Sequence, residues 1–297
     1  MQRMKLTAWM PILFLLLVPT ASSADGDGNL SSPAFKPVPE LTAGFYLLYG
    51  QKFPEGRQKF TDWESQRPND PFGEVALAAS YLFQEFYRQG VLTSDFFLNE
   101  KRFLHGIEGK PDPEIMKNFE EAVARTRSLA TGRLSKDPKD SEALFTLTLA
   151  AGMEADADMI LKKQHFEALK RLKEANDYAK RLLAEQPDAK DAYLALGSAN
   201  YIIGSLPAGT RFMIWFGGVH GDKKLGMQQL SETAEQGRYL QPMAKIMLAL
   251  AARREKQNAL AQKLLRELSE QFPDSPLYAA EYAKAIGRPI PATMKAK

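Results

Sequence analysis

An all-α fold follows from three features of the 297-residue sequence. Beyond Pro39 apolar residues recur at spacings of three and four, β-branched alternation is rare, and the breaks fall at Pro-Asp, Pro-Asn and Gly signals. A similar helix ending recurs at Arg67-Pro68-Asn69-Asp70, Asp137-Pro138-Lys139-Asp140, Gln186-Pro187-Asp188 and Phe272-Pro273-Asp274. Each proline stops one helix, because it lacks the backbone N–H and crowds the residue before it, and each is followed by another helical pattern.

The N-terminus has a different grammar. Arg3 and Lys5 precede an apolar run from Leu6 to Val18 and then the small residues Thr20, Ala21, Ser22, Ser23 and Ala24, an order that predicts a signal peptide over residues 1–24. The run is shorter than the roughly 20 apolar residues of a spanning helix, and Pro11 and Pro19 interrupt it. With no cysteine in the chain, there is no thiol to carry a lipid at the cleavage site and no disulfide framework. The expectation is an exported protein, periplasmic or secreted, soluble after cleavage. Residues 25–39 are rich in Gly, Ser, Asp and Pro and read as a flexible leader.

Removing Arg3 and Lys5 lowers the formal charge from +3 to about +1. Basic and acidic residues alternate along helix surfaces, as in Lys170-Arg171-Leu172-Lys173-Glu174, instead of forming a basic patch, so nucleic acid is excluded as a partner. About 270 residues remain, enough for a large core or an elongated repeat array.

Internal periodicity decides between these. Counting from Pro187 gives Ala175, Tyr178-Ala179 and Leu182 behind and Tyr193, Leu196-Gly197 and Asn200-Tyr201 ahead. From Pro273 the positions behind are Ala261, Leu265 and Leu268, with Leu248-Ala249 in the preceding helix. From Pro68 they are Gly56, Phe60 and Trp63, with Leu77-Ala78 and Tyr81 ahead. Around Pro138 the pattern degenerates, with Thr126 and Arg133 where the other units have a small and a large apolar residue. The small residues mark close helix crossings and the large ones fill the seam around them.

These positions resemble the tetratricopeptide repeat, whose second helix ends in proline. The resemblance spans residues 40–286 and implies a right-handed α-solenoid of about five antiparallel helix pairs. It also implies a capping helix over about Leu277 to Ile286, with a loose tail at residues 287–297. Extra residues near 91–112, 155–164 and 205–222 fall between the helices of a pair and predict long inserts on one face. More locally, Trp215 to Gly226 followed by Leu230 is similar to a segment of the eukaryotic tetratricopeptide repeat protein 39 and inclusion-body-clearance family.

No catalytic constellation stands out. The Gly217 to Lys223 stretch lacks the glycine, the Ser or Thr and the preceding strand of a phosphate loop, and Asp222 is placed to cap the following helix. Glu154 and Asp158 share a helical face on which Asp158 can pair with Lys162, while Asp156 points elsewhere; no glycine or distant glutamate completes a calcium loop. His105, His165 and His220 are too scattered for zinc, and neither a thiol nor an elbow serine is present. The expectation is a protein that is not an enzyme and carries no metal or cofactor.

What remains is a surface. In the family the first helix of each pair lines a concave groove, which places Phe72, Val75, Ala79, Leu82 and Phe83, then Glu142, Phe145 and Leu149 there. The later helices add Asp191, Leu194, Ser198, Tyr201 and Ile202, then Met243, Ile246, Leu250 and Arg253. So apolar a lining predicts a scaffold that binds a protein or peptide partner of the cell envelope as a helix or extended segment. The alternative is a small-molecule or lipid carrier in which the inserts roof the groove into a pocket. The second insert surface, Phe212, Trp215 and Phe216, suits peripheral membrane contact.

Overall fold

The computed structural model describes residues 38–215 and 220–289, all within the unit Ser31–Lys297. The expected signal peptide and most of the leader, at residues 1–37, and the tail from residue 290 lie outside the described residues. The chain runs through α1 (Pro39–Tyr49), α2 (Phe53–Gln66), α3 (Pro71–Arg88), α4 (Ser94–Leu98), α5 (Glu100–His105), α6 (Pro113–Leu134) and α7 (Ser141–Asp156). After a π-helical turn (Ala157–Leu161) come α8 (His165–Glu185), a 3-10 turn (Lys190–Ala192), α9 (Tyr193–Ser205), α10 (Ala208–Trp215) and α11 (Lys223–Gln236). The last are α12 (Gln241–Arg254), α13 (Asn258–Gln271) and α14 (Pro276–Ala285). No strand occurs among the described residues, and the chain is all-helical as its periodicity predicts.

The punctuation works as the sequence implies. Helices α2, α6, α8 and α13 stop at Gln66, Leu134, Glu185 and Gln271, each a few residues before its proline. After α2 and α6, and again at α11, the next helix restarts where a side chain accepts the orphan N–H groups of the first turn, whereas α9 and α14 begin with no side-chain cap. Asp70 accepts from Phe72 N at 2.8 Å, Asp140 from Ala143 N at 2.9 Å and Asp222 from Lys224 N at 2.8 Å.

Helix α1 packs on α2, α3 on α6, α7 on α8, α9 on α11 and α12 on α13, with α14 laid against α13. Helices α9 and α11 cross closely, and a methyl group on Gly226 would sit 2.5 Å from the backbone nitrogen of Tyr201. Any side chain there would force the helices apart. Tilted and edge-on aromatic contacts join α1, α3, α7 and the loop before α12: Phe72 lies 5.7 Å from Phe145 and 5.1 Å from Tyr239, centroid to centroid, and Phe45 lies 5.5 Å from Tyr239. Truncating one such buried Phe to Ala would cost about 3 to 5 kcal/mol.

In a linear array each unit touches only its neighbours. Here α1 also meets the far end of the chain. Tyr49 Oη donates to the carbonyl of Tyr239 at 3.1 Å, Tyr278 Oη donates to the carbonyl of Tyr49 at 2.9 Å, and Lys52 pairs with Asp274 at 3.1 Å. The first insert adds a second tie. Arg254 on α12 donates to the carbonyl of Phe97 at 2.8 Å and to Glu100 at 2.7 Å, and Arg253 donates to Ser94 Oγ at 3.1 Å. Glu281 of α14, which helical spacing places towards water, is instead 2% exposed and accepts from Ser94 N at 3.0 Å. The first insert packs over that face of the cap.

Candidate functional site

The first helix of each packed pair contributes to one internal cavity of about 160 Å³. Phe45, Leu48 and Tyr49 come from α1, Ala79, Leu82, Phe83 and Phe86 from α3, and Leu149, Gly152 and Met153 from α7. Leu194, Ala195, Ser198 and Ile202 come from α9, Met243 and Met247 from α12, and Leu172 and Ala175 from α8. Two inserts complete the wall, with Val91, Leu92 and Phe97 from the first and Ile160 from the π-helical turn.

The inserts are fixed to one another. The π turn is closed by Lys162 N donating to the carbonyl of Ala157 at 2.9 Å, and Ile107 N of the first insert donates to the carbonyl of Ile160 at 3.0 Å. Gly106, at φ +75°, makes that approach possible, since a methyl group on it would lie 2.2 Å from the Ile160 oxygen. Such π turns concentrate at functional sites because the extra residue rotates the side chains around it.

Asp156 stands at the junction of α7 and the π turn. It sits deep among protein atoms yet keeps part of its surface accessible, and that part faces the cavity it lines. Among the described residues no donor and no cation reaches its carboxylate. Burial therefore pushes Asp156 up from 3.8 to about 7.

The other carboxylate on the wall, Asp191, is fully engaged. It accepts from Arg238 N at 2.9 Å, Tyr239 N at 3.2 Å and Leu240 N at 3.1 Å, pinning the loop before α12. Burial raises Asp191 to about 6, and these backbone donors hold it from going higher. Thr148 is turned back on its own helix, donating to the carbonyl of Leu144 at 2.8 Å. Among the described residues no Lys, Arg or His lines the cavity.

The expected groove residues divide into three sets. Leu82, Phe83, Leu149, Asp191, Leu194, Ile202 and Met243 line the cavity, together with Ala79 and Ser198. Phe72, Val75, Phe145, Ile246 and Leu250 are buried in the core. Three polar groove residues serve structural bonds. Glu142 pairs with Arg133 at 2.9 Å, and burial, then the nearby Asp70, raises it to about 8. Tyr201 donates to Glu255 at 3.3 Å, and Arg253 is spent on Ser94. In the insert surface Phe212 is 59% exposed, the side chain of Trp215 lies outside the described residues, and so does Phe216 altogether.

The acidic stretch around Asp156 is otherwise paired. Glu154 bonds Arg127 and lies 3.6 Å from Arg171, and Asp158 lies 3.4 Å from Lys162 at the helical spacing its sequence suggests. Among the described residues no group of three or more acidic or histidine side chains converges on a metal position. Sequence reasoning set Asp156 aside with this cluster. The signal for its role is its place in the apolar stripe Phe145, Leu149, Met153, Asp156 and Ile160. No family model, curated protein or solved structure matches the chain, so the chemistry of the cavity rests on its own residues.

Proposed function

We propose that this chain is an exported, non-catalytic carrier that holds a small apolar molecule in the cavity between its first helices. In this reading the scaffold is a tetratricopeptide-like array of about five helix pairs and a capping helix, bent until its ends touch. The observation that carries it is the cavity itself. Apolar side chains from α1, α3, α7, α9 and α12 leave about 160 Å³ unfilled, which a core selected only for stability would close. A cavity of similar size lined by Leu, Ile and Phe takes up benzene or xenon. Met153, Met243 and Met247 on the wall can repack around different occupants.

A protein-binding scaffold would need its apolar lining to face water, whereas Phe72, Val75, Phe145 and Ile246 are buried. The carrier reading is therefore preferred. Export rests on the N-terminal sequence, and among the described residues no helix is long and apolar enough to cross a membrane.

Native mass spectrometry of the protein purified without detergent tests the proposal. The expected result is a small-molecule adduct at one per chain. It should be lost when Ala79→Leu and Ala195→Leu fill the cavity from opposite walls. A ligand-free mass in the parent, or an adduct that survives both substitutions, contradicts it.

A further inference from the structure

Resting on the carrier reading, we propose that the ligand is a small apolar monoamine, whose cationic nitrogen pairs with the carboxylate of Asp156 while its alkyl or aryl body fills the cavity. Asp156 is the one acidic group on the wall whose oxygens meet no protein donor among the described residues, and it stands on the cavity wall where α7 gives way to the π turn. An ionised carboxylate held in an apolar wall without a partner costs several kcal/mol. A bound cation removes that cost by supplying both the charge and the N–H donors.

Other ligand classes fit the same wall less well. An anion, such as a fatty acid, would meet two carboxylates and no Lys, Arg or His. A neutral alcohol would satisfy one lone pair of Asp156 and leave its charge uncompensated. The aromatic rings of Phe45, Phe83, Phe86 and Phe97 also line the cavity, and their faces favour a cation. Asp191 cannot serve as a second acidic anchor, because three backbone N–H groups already hold it. One anchor in a cavity of about 160 Å³ selects one nitrogen on a body of about six carbons.

Calorimetric titration of the full chain with n-hexylamine, 1-hexanol and hexanoate separates these classes at a common body size. In the unsubstituted protein n-hexylamine should bind about tenfold to a hundredfold tighter than 1-hexanol, the range of a charge-assisted hydrogen bond, and hexanoate should bind weakest. Asp156→Asn, nearly isosteric and checked for a cooperative melting transition no lower than the parent's, should erase the amine preference and keep 1-hexanol binding. Equal affinity for amine and alcohol in the unsubstituted protein, or an amine preference that persists in Asp156→Asn, overturns the assignment of Asp156 while leaving the carrier intact. If no probe binds and the native mass is ligand-free, the carrier reading itself falls, and the amine assignment with it.

Discussion

The hydroxyl of Tyr49 donates to the backbone carbonyl of Tyr239 at 3.1 Å, a buried bond between positions 190 residues apart. It joins the first helix to the loop before α12, and the same loop is anchored through Asp191 beside the cavity. Tyr49 itself lines the cavity, and burial raises its hydroxyl well above the ordinary tyrosine value, keeping it a donor. One side chain thus couples the contact between the first helix and the loop before α12 to the shape of the cavity.

Tyr49→Phe keeps the ring and removes the bond. The expected cost is about 1 to 2 kcal/mol in urea unfolding, with weaker retention of the cavity ligand. Tyr46→Phe, which loses a 2.9 Å bond to the Gln271 carbonyl at the exposed surface, should cost less in the same experiment.

The pH dependence of stability reports on Asp156. Folding raises its carboxyl from 3.8 to about 7, so between those values the folded chain holds a proton that the unfolded chain has released. Stability from this group therefore falls as pH rises from about 4 to about 7 and stays low above it. Asp156→Asn should match the parent near pH 4 and exceed it at pH 8, by at most about 4 kcal/mol. Asp191, raised to about 6, and Glu142 and Glu74, raised to about 8 by burial, shift stability in the same sense. They are common to both proteins, so the difference between the two stability curves isolates Asp156.

Arg254 fastens the first insert over the cavity. Its guanidinium holds the Phe97 carbonyl and Glu100 and lies 4.0 Å from the centre of the Phe103 ring. Arg254→Ala should lower global stability by only about 1 to 2 kcal/mol, because α4 and α5 are short. It should also expose residues 94–105 to limited proteolysis and speed ligand release. Cleavage mapping before and after ligand addition measures both effects.

The helical class and the places where helices stop were legible in the sequence, because proline and aspartate act on the backbone next to them. Asp222 caps the helix that its position predicts, and Asp70 and Asp140 cap the helices after Pro68 and Pro138 in the same way. The residues facing the interior of the array were legible too, since Leu82, Leu149, Leu194 and Met243 follow helical periodicity and meet across the cavity. What local pattern could not give is how the ends meet. The bonds of Tyr49 to Tyr239 and of Tyr278 to Tyr49 link segments about 200 residues apart, and they turn an expected surface into an interior. Asp156 stayed hidden for a different reason. Its neighbours Glu154 and Asp158 belong to a charged face, and local spacing does not show the cavity that the apolar stripe around it comes to line.

The most direct measurement is methyl NMR of the protein labelled at methionine, titrated with n-hexylamine or pressurised with xenon. Met153, Met243 and Met247 line the cavity, whereas Met116 on α6 and Met227 on α11 do not. A cavity that takes up a small apolar ligand shifts the first three resonances together and saturably, and leaves Met116 and Met227 in place. Unmoved resonances at Met153, Met243 and Met247, or shifts centred on Met116 and Met227, would contradict a binding cavity at this position.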